Sequence, residues 1–201
     1  METRSVLLSF SVLQGMFLYY MSEKHDRDLV DIVSGIIREF ATNDIRGFDI
    51  DDFRKHVEES KDLAQKAAVK SFMMQEIDAF YAKRNHLRPA TPPSPLPIGR
   101  SRTINVWERN SRLNLNLFDF AILHYYASKT DRTESYVLGV LLRTYMLADK
   151  RLQTGELEAF ITRQRSEITK DEYREMKDDW SSFLEQRSKL GHKPKAVRAH
   201  T

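Results

Sequence analysis

The chain has 201 residues, 41% of them hydrophobic, which suffices for a sizeable apolar core and allows one or two domains. It contains no cysteine, which excludes a disulfide framework and cysteine-ligated zinc and fits a cytoplasmic protein. Its 32 Lys and Arg against 29 Asp and Glu leave a net charge of only +3, so any electrostatic role must rest on where the cations lie rather than on their sum.

Scarce glycine and abundant charged residues predict a mainly helical chain. From Ser5 to Ser22 no residue is charged, a run that could be mistaken for a signal peptide or a membrane span. Ser9, Ser11 and Gln14 interrupt it, Glu2 precedes it and no small-residue cleavage site is evident, so no membrane role is expected. Within the run Leu8, Phe10 and Val12 alternate with Ser9 and Ser11, and this period of two predicts a strand over 8–12 with one buried face. Met16, Phe17, Tyr20 and Met21 suit a short helix with one apolar side, followed by a turn at His25, Asp26 and Arg27. A longer helix is then expected from Asp28, whose carboxylate can accept the orphan amide hydrogens of the first turn. These elements form a first unit, 5–42. An extension over 43–86 carries apolar helical faces through Phe53, Val57, Leu63, Ala67, Val69, Phe72, Ile77 and Phe80. The prolines from Pro89 to Pro97 forbid regular helix and favour an extended connector within a basic linker, 87–104.

After the linker the chain repeats itself. Leu123 to Tyr145 superposes without a gap on Leu18 to Phe40 at a constant offset of 105 residues, as from Asp26 to Asp131. Leu18/Leu123, Tyr20/Tyr125, Lys24/Lys129, Asp26/Asp131, Arg27/Arg132 and Arg38/Arg143 are identical. At the same offset Leu113, Leu115 and Leu117 match the first alternating segment, with Arg112, Asn114 and Asn116 on the opposite, outward face. Phe120, Leu123, Tyr126 and Ala127 suit the short helix, and Thr133 caps the longer one, which completes a second unit, 105–149. A second helical extension follows over 150–187, through Leu157, Phe160, Ile161, Ile168, Tyr173, Met176, Trp180 and Phe183, at an offset that drifts from 107 (Phe53 to Phe160) to 103 (Phe80 to Phe183). The tail, 188–201, is basic.

A strand this short cannot stand alone, and one unit leaves its strand edge and apolar helix faces uncovered, so the two units are expected to pair. Leu113 to Met146, LNLNLFDFAILHYYASKTDRTESYVLGVLLRTYM, resembles the ribbon-helix-helix DNA-binding proteins of the Arc, MetJ and CopG type, and Leu7 to Phe40 fits the same pattern less well. The organisation is similar to that of accessory proteins of conjugative DNA transfer that carry two such units in one chain. The resemblance implies a mainly α fold with a short two-stranded antiparallel β-ribbon, a tandem pseudo-dimer with helical extensions. It implies a double-stranded DNA-binding protein that inserts the ribbon in the major groove as a transcriptional repressor, partition factor or conjugative-transfer accessory.

In that frame Arg112, Asn114 and Asn116 are the expected base readers, since Arg grips a guanine edge and Asn an adenine edge bidentately. The first unit offers Leu7, Ser9 and Ser11 at the matching positions, a poorer set, so recognition should be lopsided. Phosphates are expected at the starts of the longer helices, at Thr133, Ser135 and Arg132 and, opposed by Asp28 and Asp31, at Arg27. Arg27 and Arg132 could equally just complement Asp26 and Asp131 across their turns. Lys193 and Lys195 in the tail suit sequence-independent phosphate contacts, or mere solubility. The competing expectation is a non-enzymatic interaction scaffold that kept the duplicated fold without base reading and binds a second copy or another protein through the helical extensions. His25, His56, His86, His124, His192 and His200 show no metal-ligand spacing, and neither a phosphate loop nor a nucleophile elbow appears; no enzyme, cofactor or metal is expected. His124 falls beside apolar helix positions and is expected to be packed or hydrogen-bonded.

Overall fold

Local capping chemistry sets most helix boundaries in the computed structural model, which describes residues 3–7, 10–44, 47–60, 63, 67–86 and 112–191. Strand β1, Thr3–Leu7, is followed by helices α1, Val12–His25, α2, Leu29–Asn43, α3, Ile50–Glu59, and α4, Ala67–His86. Strand β2, Arg112–Asn116, then leads into α5, Leu117–Thr130, α6, Glu134–Ala148, α7, Thr154–Arg163, and, after a 3-10 turn at Gln164–Glu167, α8, Lys170–Lys189. Ser11 and Gln14 form a capping box at the start of α1, and Thr169 and Glu172 form one at α8. Asn116, Thr133 and Asp49 each cap a helix through a side-chain oxygen. Asp26 and Asp131, 105 residues apart, end α1 and α5 in the left-handed region at φ 49° and 52°, a conformation that aspartate tolerates better than most side chains.

The helices recur in equal lengths: 14 residues for α1 and α5, 15 for α2 and α6, 10 for α3 and α7, and 20 for α4 and α8. Their starts lie 105, 105, 104 and 103 residues apart, so the repetition of elements runs through both extensions. Phe53 therefore corresponds to Leu157, not to Phe160. Leu157 and Phe160 are both buried on one face of α7, and helical periodicity alone cannot choose between residues three apart.

Other expectations need correction. The first strand lies at Thr3–Leu7, not at 8–12; Ser11 is a helix cap and Val12 the first helical residue. Leu117 likewise begins α5 rather than ending β2. The capping box explains the difference, because Ser11 and Gln14 satisfy each other's backbone amides and so stabilise a helix start where apolar alternation alone suggests a strand. The repeat also breaks there: β2 passes directly into α5, whereas residues 8–11 intervene between β1 and α1. Helix α1 is not short beside α2, and Asp28 holds the N-cap position of α2 without a side-chain hydrogen bond.

The strands pair antiparallel in the register Thr3↔Asn116, Arg4↔Leu115, Ser5↔Asn114, Val6↔Leu113 and Leu7↔Arg112. Val6, Leu113 and Leu115 are buried beneath the ribbon, continuous with a core that includes Leu13, Phe17, Val33, Ile37, Ile122, Leu138 and Leu142. The halves interlock beyond the ribbon. Tyr20 and Lys24 on α1 both donate to Glu156 on α7, at 2.7 and 2.6 Å. Correspondingly, Lys129 on α5 donates to Asp52 on α3 at 3.2 Å, and the Tyr125 hydroxyl donates to the Asp49 carbonyl. Arg38 on α2 pairs with the fully buried Asp119 on α5, Nε to Oδ1 at 2.5 Å. Among the described residues no helix is long and apolar enough to cross a membrane.

Candidate nucleic-acid interface

The side chains of β1 and β2 that point away from the core form three cross-strand rows: Thr3 beside Asn116, Ser5 beside Asn114 and Leu7 beside Arg112. Alternation on β2 arises from Leu113 and Leu115, which turn Arg112 and Asn114 to the exposed face. No other described residue engages either of those two side chains. Among the described residues their polar groups have no partner, and their α-carbons are spaced about 6.8 Å along the strand. On β1, Thr3 and Ser5 are exposed hydroxyls and Leu7 is 50% exposed, directly across from Arg112.

Asn116 and Ser11, expected as base readers, instead cap α5 and α1. The Asn116 Oδ1 accepts the Asp119 amide at 2.9 Å and its Nδ2 donates to Asp119 Oδ2 at 2.5 Å, so both ends of the amide serve the start of α5. Ser11 is off the ribbon, its hydroxyl bonded to the Gln14 amide. Ser9, Lys193 and Lys195 lie outside the described residues. Thr3, Ser5 and Leu7 occupy the positions expected of Leu7, Ser9 and Ser11; the strand is not legible there because Thr3, Arg4 and Ser5 are all polar and offer no period of two.

The helix starts differ in chemistry. At α6 the Thr133 hydroxyl accepts the Tyr136 amide at 3.2 Å, Ser135 is half-buried in the first turn, and the Arg132 guanidinium lies over the Tyr136 ring, 5.5 Å from its centre. These three residues share one helix N-terminus, where the dipole favours an anion, with Asp131 and with Glu134, whose carboxylate is bonded to His124. At α2 the corresponding place holds exposed Asp28 and Asp31, which would repel one, while Arg27 is half-buried with its Nε sequestered.

A separate polar cluster joins the halves. His124 on α5 bonds Glu134 through Nδ1 at 2.8 Å, stacks on Phe120, and meets His56 on α3 with ring centres 5.1 Å apart. Burial, and then the neighbouring His124, push the His56 pKa below its ordinary value. Among the described residues no group of three or more His, Cys, Asp or Glu is placed to hold a metal ion. No protein-family model, curated protein or solved structure matches the chain.

Proposed function

We propose that this chain binds double-stranded DNA by laying the β1–β2 ribbon in the major groove, in the manner of a tandem ribbon-helix-helix protein. It would then serve in the cytoplasm as a repressor, a partition factor or an accessory of conjugative transfer. The observation that carries the reading is the outward face of the ribbon, where Arg112 and Asn114 stand exposed, engaged by no other described residue, above an inner face that buries Val6, Leu113 and Leu115. Two strands about 4.8 Å apart fit a groove roughly 12 Å wide, where base edges are fully distinguishable. Thr133, Ser135 and Arg132 at the start of α6 supply a phosphate contact on one flank.

Fluorescence anisotropy against duplex DNA over a salt series tests this. Wild type should bind with an affinity that falls as salt rises. Arg112→Ala and Asn114→Ala should each reduce discrimination between sequences by about 1–3 kcal/mol. Variants that bind and discriminate like wild type would reject base reading. The scaffold reading is favoured by one observation: Tyr136 and Val140, one turn apart on α6, are 57% and 46% exposed, whereas their α2 counterparts are Asp31 and Gly35. Concentration-dependent self-association that Tyr136→Ala and Val140→Ala abolish, without any DNA binding by wild type, would select it.

A further inference from the structure

An antiparallel strand pair has a local two-fold axis, which here passes through the Ser5–Asn114 pair. That axis exchanges Thr3 with Arg112, Ser5 with Asn114, and Leu7 with Asn116. Every exchange is chemically unequal. A hydroxyl answers a guanidinium, a hydroxyl answers an amide, and an exposed isobutyl group answers an amide already bonded at both ends to Asp119. A ribbon with this face cannot present the same groups to two halves of a palindrome.

The discriminating groups also crowd toward one end. Arg112 prefers the O6 and N7 acceptors of guanine, and the neighbouring Leu7 offers an apolar contact that suits a thymine methyl. Asn114, in the central row, has the donor and acceptor that adenine requires. Thr3, at the far end, can bond to almost any base edge and so distinguishes little, and its neighbour Asn116 is closed off. Outward residues on one strand are spaced by about 6.8 Å, against about 3.4 Å between successive base pairs, so Arg112 and Asn114 address positions roughly two steps apart.

We infer that the ribbon reads a short DNA element without two-fold symmetry. It places a guanine at Arg112 with an adjoining thymine methyl against Leu7, and an adenine about two base pairs away at Asn114. This rests on the DNA-binding reading above and adds to it the asymmetry and the identity of the bases.

Selection from a randomised duplex pool with the full chain, followed by anisotropy on the selected duplex and its single-base substitutions, tests the inference. The expected result is a motif lacking dyad symmetry, with guanine and adenine two steps apart. Arg112→Ala should lose about tenfold or more of the discrimination at the guanine while keeping the adenine preference, and Asn114→Ala should do the converse. Both side chains are exposed, and unchanged circular dichroism would show that the variants keep the fold. A palindromic motif, or base preferences that survive both substitutions, would overturn the inference. Salt-sensitive binding of the unselected pool with no enriched motif would overturn it and leave DNA binding standing, whereas no binding of the pool at low salt would overturn both.

Discussion

Arg84 and Arg187 sit at corresponding places in the two halves and differ in depth. The Arg84 guanidinium donates to the Asp44 and Phe48 carbonyls at 3.1 and 2.9 Å from a half-buried position. The Arg187 guanidinium, only 4% exposed, reaches the Met146, Leu147, Asp149 and Leu152 carbonyls. In both cases a cation from the last long helix satisfies carbonyls at and just past the end of α2 or α6, where the helix dipole is negative. The second half carries more of this polar anchoring inside. The same contrast recurs elsewhere. In the second half Asp119 is fully buried against Arg38; the first half has neutral Gln14 at that position, donating to the Gly139 carbonyl at 2.8 Å. Helix lengths and most buried apolar positions match across the halves, and so do some polar contacts such as Lys24–Glu156 and Lys129–Asp52, whereas others such as Gln14 and Asp119 differ, so the shared scaffold rests chiefly on packing.

That contrast can be broken most forcefully in the core. Ile37 and Leu142, equivalent and both fully buried, should cost about 2–5 kcal/mol each when changed to Ala, and should cost alike in urea unfolding. A loss confined to one half would show that the halves do not share one cooperative core. A smaller and deliberately unequal effect is expected from the arginines: Arg187→Ala about 2–4 kcal/mol, from carbonyls at the end of α6 that lose a buried guanidinium donor, and Arg84→Ala about half that. Equal costs would contradict the difference in depth.

The smallest effect concerns acid. The folded-state pKa of His56 is lowered by burial and by His124, with Glu59 acting weakly in the opposite sense. The unfolded chain therefore binds the proton more readily, and the stability linked to neutral His56 is present above about pH 6.5 and lost as pH falls below it. The equivalents of His56 and His124 are Phe160 and Tyr19, so this histidine pair has no counterpart in the other half. His56→Phe should lessen the fall in melting temperature between pH 7 and pH 5, the remainder following from His25, whose pKa burial and Lys24 also lower. An unchanged slope would place the sensitivity elsewhere.

Much of this arrangement is legible in the chain itself, and the parts that are not have identifiable causes. Strand β2 is readable because Leu113 and Leu115 alternate cleanly with Arg112 and Asn114. Strand β1 is not, because Val6 is its lone fully buried position and the cleaner alternation lies just downstream, where the Ser11–Gln14 capping box overrides it. The same local chemistry removes Asn116 from the site: an asparagine three residues before Asp119 and directly ahead of an apolar helix is a cap before it is a base reader. The α1–α5 and α2–α6 correspondence follows from identical residues such as Asp26 and Asp131, whereas α3 and α7 share too little to fix their register. The carbonyl anchoring by Arg84 and Arg187 acts across about 40 residues of sequence and has no local signature at all.

Because the chain has no cysteine, Ser5→Cys places a unique thiol in the central row of the ribbon, and Ser181→Cys places one on the exposed face of α8. The rate at which maleimide alkylates each, with and without saturating duplex DNA, tests the central claim most directly. DNA should slow labelling at position 5 by tenfold or more and leave position 181 unchanged. Equal labelling rates at position 5 with bound DNA and without it would contradict the account.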